Sequence, residues 1–117
     1  MGAQWISHKG KKILYVEYGK LSLPEMVALV KKAAAMIVAS GSSQNLILTN
    51  MTDAFANNEF LAVAKEQSKL SLPLTKKNAI VGVTGVKKVL LSGINAFTSK
   101  PRVPFDTVEQ AKDWLVQ

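Results

Sequence analysis

The order of the apolar segments constrains this chain most: two strand-like runs come first, then helix-like and strand-like runs alternate to the end. "WIS" and "KILYVEY" are rich in β-branched and aromatic residues and flank "HKGK", where Gly10 supplies a hairpin turn. The spacing of Met26, Leu29, Val30, Ala33, Met36 and Ile37 predicts a helix with one apolar face. Ser22 and Glu25 stand before it at capping-box spacing, Pro24 falls in its first turn, and Gly41 closes its far end. "NLILTN", Asn45 to Asn50, is nearly continuously apolar, the pattern of a strand buried on both faces. "MTDAFANN" follows as a loop in which Asn57 or Asn58 caps a helix to about Leu70, and Pro73 in "SLPLTKK" breaks that helix.

"AIVGVT" is the next buried strand, with Gly82 inside it permitting close packing. Val86, Val89, Leu90, Ile94 and Phe97 step round a third helix that Gly93 weakens slightly. The prolines of "KPRVPF" leave room only for a short edge strand. Asp106 and Glu109 form a second capping-box spacing, and Val108, Ala111, Trp114 and Leu115 give the last helix its buried stripe. The order β-β-α-β-α-β-α-β-α predicts an α/β fold. Its mixed, mostly parallel sheet has right-handed crossovers, an N-terminal antiparallel hairpin and four helices. The 117 residues fit one domain, large enough to bury a core without disulfides or metal, and they show no linker or repeat.

Composition removes several function classes. The absence of cysteine excludes disulfide frameworks, thiolate zinc sites and cysteine nucleophiles. The longest apolar region, Leu23–Ala39, carries Lys31 and Lys32 in its middle, so no membrane span is expected. "MGAQWISHKGKK" lacks the order of a signal peptide, and Ile6 stands where a myristoylation motif needs Ser or Thr, so the expected location is cytoplasmic. The net charge of +7 comes from fourteen lysines and a single arginine, Arg102. Such a charge draws polyanions. Yet the lysines are scattered in pairs, without the arginine and aromatic clusters that read bases, so nucleic acid is not the expected partner.

The segments "GKKILYVEY", "LILTNMTDA", "AIVGVTGVKKVLL" and "FDTVEQAKDWL" together resemble the small bacterial SpoIIAA-like proteins, grouped with the STAS and SEC14-like domains. The resemblance covers nearly the whole chain. Its most specific part is Gly82, Gly85 and the segment from Phe105-Asp106-Thr107 to Trp114-Leu115. It implies a βα superhelix on a mixed sheet. Better-known STAS relatives are switches, phosphorylated on a serine in the loop between the third strand and second helix. Here that loop, "NMTDAFANNEF", has no serine; Thr52 is its only hydroxyl, so the anti-sigma-antagonist role does not carry over. The SEC14 side of the grouping implies an apolar ligand cavity.

"VGVTGVKKVL" has the strand–glycine–lysine–helix order of phosphate loops, but it lacks two residues of a Walker loop and the Ser or Thr that would hold magnesium. Two readings remain. Lys87 and Lys88 lie on a solvated face, with Gly85 easing the turn, or they join the helix N-terminus in attracting an anion. In open α/β sheets ligands settle at the carboxyl ends of parallel strands. The loops after the third and fourth strands leave that end, and Asn50, Thr52, Asp53, Asn57, Asn58, Thr84, Gly85, Lys87 and Lys88 are the candidate contacts. For Asp53 and the asparagines, capping of turns and of a helix is the competing role.

Catalytic chemistry has little to work with. His8 is the only histidine and sits beside the hairpin turn; no G-x-S-x-G elbow or metal spacing is present; Asp53 is the only acid in the expected crevice. The expectation is a non-catalytic regulatory or binding module. It would engage a protein partner or a small anionic ligand at the strand ends, without cofactor, and could form a homodimer through an edge strand. The alternative is a carrier of an apolar or lipid-like molecule in a helix–sheet cavity lined by residues such as Met26, Phe60 and Phe97.

Overall fold

A computed structural model describes residues 2–55, 57–96, 98 and 100–117, apart from the side chains of Val86, Leu90 and Ile94. The elements are β1 (Gly2–His8), β2 (Lys11–Glu17), α1 (Leu23–Ala39), β3 (Asn45–Asn50), α2 (Asn58–Ser71), β4 (Thr75–Val81), α3 (Val86–Asn95), β5 (Val103–Phe105) and α4 (Val108–Leu115). A single 3-10 turn, Leu72–Leu74, joins α2 to β4. The five strands form one sheet in sequential order, β1-β2-β3-β4-β5. β1 and β2 are antiparallel and every other pair is parallel, as the alternation predicts.

A monotonic strand order with crossovers of one hand puts the crossover helices on one side of the sheet. Accordingly Leu14, Val16, Ile47 and Ile80 meet residues of α1 and α2 such as Met26, Val30 and Phe60. Alternate residues of the same strands, Ile13, Leu48, Ala79 and Val81, meet Ala111 and Leu115 of α4 on the other side. Period-two alternation thus feeds two cores. Ile13, Leu14, Met26 and Leu48 are wholly buried, each stabilising by about 1.5–3 kcal/mol relative to an exposed side chain.

Local signals act as the chain implies. Ser22 caps α1: Glu25 N–H donates to Ser22 Oγ at 3.4 Å, and Ser22 N–H donates back to Glu25 Oε1 at 2.9 Å. That exchange holds the Glu25 carboxyl below its ordinary pKa, the backbone bond from Ser22 being the main cause. Gly41 follows the helix in the left-handed region at φ +73.

Three boundaries and one buried position differ from expectation. β4 begins at Thr75, inside the segment read as a breaker, because Pro73 is confined to the 3-10 turn and Thr75 already pairs with Asn45. Gly82 lies just past β4, not within it, with φ +81. α4 is capped by Thr107, not Asp106: Gln110 N–H donates to Thr107 Oγ1 at 3.2 Å. Val89, expected on the buried face of α3, is 72% exposed. The remaining apolar positions expected of that helix, Val86, Leu90, Ile94 and Phe97, lie outside the described side chains.

Candidate ligand site

Three loops meet at the carboxyl ends of β2, β3 and β4. Tyr18 N–H donates to the Asn50 carbonyl, Lys20 N–H to the Asp53 carbonyl and Met51 N–H to the Val81 carbonyl, all at 2.8–3.0 Å. Two glycines permit this closeness. A Cβ on Gly82 would stand 2.6 Å from Thr52 Oγ1 and closer still to Thr52 N, and one on Gly19 would stand 2.8 Å from Thr52 O. The loops after β3 and β4 therefore do share a rim, and the loop after β2 completes it.

Three of the predicted rim side chains, Lys87, Asn50 and Asn57, are engaged with the protein itself. Lys87 Nζ donates to the Met51 carbonyl at 3.0 Å. Asn50 Oδ1 accepts from Thr52 N–H at 3.0 Å, and Asn50 Nδ2 donates at 2.8 Å to Tyr15 Oη, which donates to Glu17 Oε1 at 2.8 Å. Asn57 caps α2, its Oδ1 accepting from Phe60 N–H at 2.9 Å, and Asn58 is the first, exposed residue of that helix. Thr52, Asp53, Thr84, Gly85 and Lys88 are exposed. The N–H groups of Lys87 and Lys88 donate to the Thr84 and Gly85 carbonyls at 3.1 and 3.0 Å. Those two donors at the start of α3 are thus already partnered.

Beneath the rim, between α1, α2 and α3 and the sheet, lies a cavity of about 110 Å³. Its walls are mostly hydrocarbon, from Val16, Ile47 and Ile80 on the sheet and Ala33, Phe60 and Leu91 on the helices. Of the nine predicted contacts only Lys87 lines it. Of the three residues expected in a carrier cavity, Phe60 lines it, Met26 is buried elsewhere in the same core, and Phe97 is outside the described residues.

Polar side chains also line this cavity, among them Tyr18, Ser68, Asn78 and Arg102. Arg102 as a whole keeps partial exposure, but its Nη1 has none and no hydrogen-bond partner. Its Nη2 donates to Ser68 Oγ at 3.1 Å, and the Ser68 hydroxyl donates to the Ala64 carbonyl at 2.8 Å. Among the described residues no carboxylate pairs with Arg102. Burial accordingly lowers the guanidinium pKa and raises that of the Tyr18 phenol, each charge partly offsetting the other's shift. Asn78 Oδ1 is likewise buried without a partner. Thr75 and Asn78 face one side of the sheet although three residues apart because the β3–β4 register shifts between Asn45 and Leu46, leaving Lys76 bulged.

The chain matches no protein-family model, and no curated protein matches it.

Elsewhere, His8 Nε2 and Asp113 Oδ1 are 2.7 Å apart, joined by Lys9 Nζ at 3.2 Å. The bonds from His8 and then Lys9 hold the Asp113 carboxyl below its ordinary pKa. This pair links the hairpin to α4, away from the cavity. No cluster of three metal-ligating side chains occurs among the described residues, and no helix there is long and apolar enough to cross a membrane. A second hollow near Trp5 gathers Lys11, Lys12 and Lys76, all exposed.

Sequence reasoning passed over Tyr18, Asn78, Ser68 and Arg102. Signals existed for two of them: Arg102 is the only arginine among fifteen basic residues, and Asn78 heads the apolar run Ala79-Ile80-Val81, two positions from Ile80 and hence on the same face.

Proposed function

We propose that this protein is a non-catalytic binding module whose ligand is a small molecule held in the helix–sheet cavity. The observation that carries the reading is the polar cluster in that cavity, where Arg102 Nη1 and Asn78 Oδ1 are buried without partners. Native interiors leave few such groups, and each calls for a missing partner. The scale of the cavity limits the guest. At about 110 Å³ it is nearer to engineered cavities of about 150 Å³ that take benzene than to pockets of about 300–1,000 Å³ that take drug-sized ligands. A long lipid chain does not fit this volume, which narrows the carrier expectation to a compact guest. The resemblance to SEC14-like domains supports the same reading.

A second reading, a protein partner at the rim, is favoured by Phe55 and Val89. These large apolar side chains are 44% and 72% exposed, in the loop after β3 and in α3.

A ligand-observed NMR screen of uncharged and charged molecules of up to about ten non-hydrogen atoms tests the first reading, using wild type and the cavity-filling Ala64→Met. Binding to wild type that is lost in the variant is expected. Failure of every compound, or equal binding to both proteins, contradicts it.

A further inference from the structure

We infer, building on the cavity reading, that the ligand is a small monocarboxylate whose carboxylate is received by the Arg102 guanidinium, with the Tyr18 hydroxyl as a second donor. The guanidinium is held in place from both ends. Asn95, at the end of α3, receives Arg102 N–H on Oδ1 and donates from Nδ2 to the Arg102 carbonyl, both at 3.0 Å. Ser68 then fixes the tip: its hydroxyl proton goes to the Ala64 carbonyl, so its oxygen is left to accept from Nη2. One prong of the fork is thereby engaged and the other, Nη1, is buried and vacant.

A buried charge is retained only where something compensates it. None of the chain's eight carboxylates lines the cavity, so the compensating group must come with the guest. The guanidinium fork matches a carboxylate in plane and charge. Tyr18 lines the same cavity, and its hydroxyl keeps its proton through burial, so it is a donor. The Asn78 amide, turned by half a rotation, offers Nδ2 as another.

Two cations, Lys87 and Arg102, line the cavity; Lys87 Nζ spends a donor on Met51 O, whereas Arg102 keeps a buried prong with no partner at all. An inorganic phosphate dianion, which needs polar partners on every side, would find hydrocarbon on most of them. Cavity volume, hydrocarbon walls and the vacant guanidinium prong together describe a monocarboxylate with a compact apolar body of about five to nine non-hydrogen atoms.

The test is calorimetric titration of the full-length protein at neutral pH with benzoate, with benzamide as its uncharged counterpart, and with inorganic phosphate. Benzoate should bind at least about tenfold more tightly than benzamide, and phosphate should not compete with it. Arg102→Met should erase the difference between benzoate and benzamide. Should that variant not fold, the wild-type comparison decides alone. Equal affinity for benzoate and benzamide, or displacement of benzoate by phosphate, overturns the carboxylate assignment and leaves the cavity reading standing. Binding of neither organic probe overturns both.

Discussion

Lys87 Nζ donates to the Met51 carbonyl at 3.0 Å, tying the start of α3 to the loop that follows β3. The bond joins two loops the sequence places on one rim, and it engages one of the two lysines expected to attract an anion at the helix N-terminus. Lys87→Met keeps most of the hydrocarbon stem and removes the donor. It should cost about 1 kcal/mol in urea denaturation and speed hydrogen exchange at the Met51 and Ala54 amides. Unchanged exchange there would show that the bond does not hold the loops together.

Gly82 and Gly85 separate close packing from turn conformation. Both have positive φ, +81 and +57, but only at Gly82 would a Cβ meet other atoms, those of Met51 and Thr52. Gly85→Ala should cost about 1–2 kcal/mol, the penalty of a left-handed backbone alone. Gly82→Ala should cost about 3 kcal/mol or more, with steric displacement added to that penalty. Equal losses in thermal or urea unfolding would remove the close approach of Gly82 to Thr52 from the account.

Arg102 should reveal itself in stability as well as in binding. In the ligand-free protein its guanidinium has one vacant buried prong and no carboxylate partner. Replacing such a group by an apolar side chain is often neutral or favourable, whereas breaking a compensated buried pair costs about 3–5 kcal/mol. Arg102→Met should therefore leave the ligand-free protein at least as stable as wild type, read from the urea midpoint. A loss of about 3 kcal/mol would mean that the guanidinium is already compensated.

Tyr18 predicts an alkaline limit. Burial raises its phenol pKa above the ordinary 10.0. Above pH 10 the folded chain keeps this proton while the unfolded chain loses it, so the unfolded state binds fewer protons and stability falls as pH rises. This contribution is intact below pH 10 and is lost above it as pH climbs toward the folded-state pKa. Urea midpoints between pH 8 and 11 should decline at the upper end, and Tyr18→Phe should flatten the decline. An identical slope in the variant would contradict the burial of this phenol.

Most of the fold is written in short-range signals. The capping box at Ser22 and Glu25, the continuous apolar run Leu46-Ile47-Leu48 and the Ala111/Leu115 stripe each depend on neighbours within a few residues, and each acts as its pattern implies. Boundaries failed where a second local device competed. The 3-10 turn absorbed Pro73 and released Thr75 into β4, and Thr107 capped α4 in place of Asp106. The cavity was less legible because it is assembled from distant positions. Tyr18 lies at the end of β2, Ser68 in α2, Asn78 in β4 and Arg102 before β5. No spacing rule joins them; only the sheet order and the Lys76 bulge bring them to one side. The rim was legible as a place, since strand ends follow from topology, but three of its side chains, Asn50, Asn57 and Lys87, proved to be engaged with the protein itself.

The most direct measurement is a map of ligand-induced NMR shifts on isotopically labelled protein saturated with benzoate. The account predicts shifts of the methyl groups of Ala33, Ile47, Ala64 and Ile80 around the cavity, together with the Arg102 guanidinium signals, and little change at Thr52, Asp53, Thr84 and Lys88. Shifts confined to those exposed rim residues, with the cavity methyls unmoved, would contradict it.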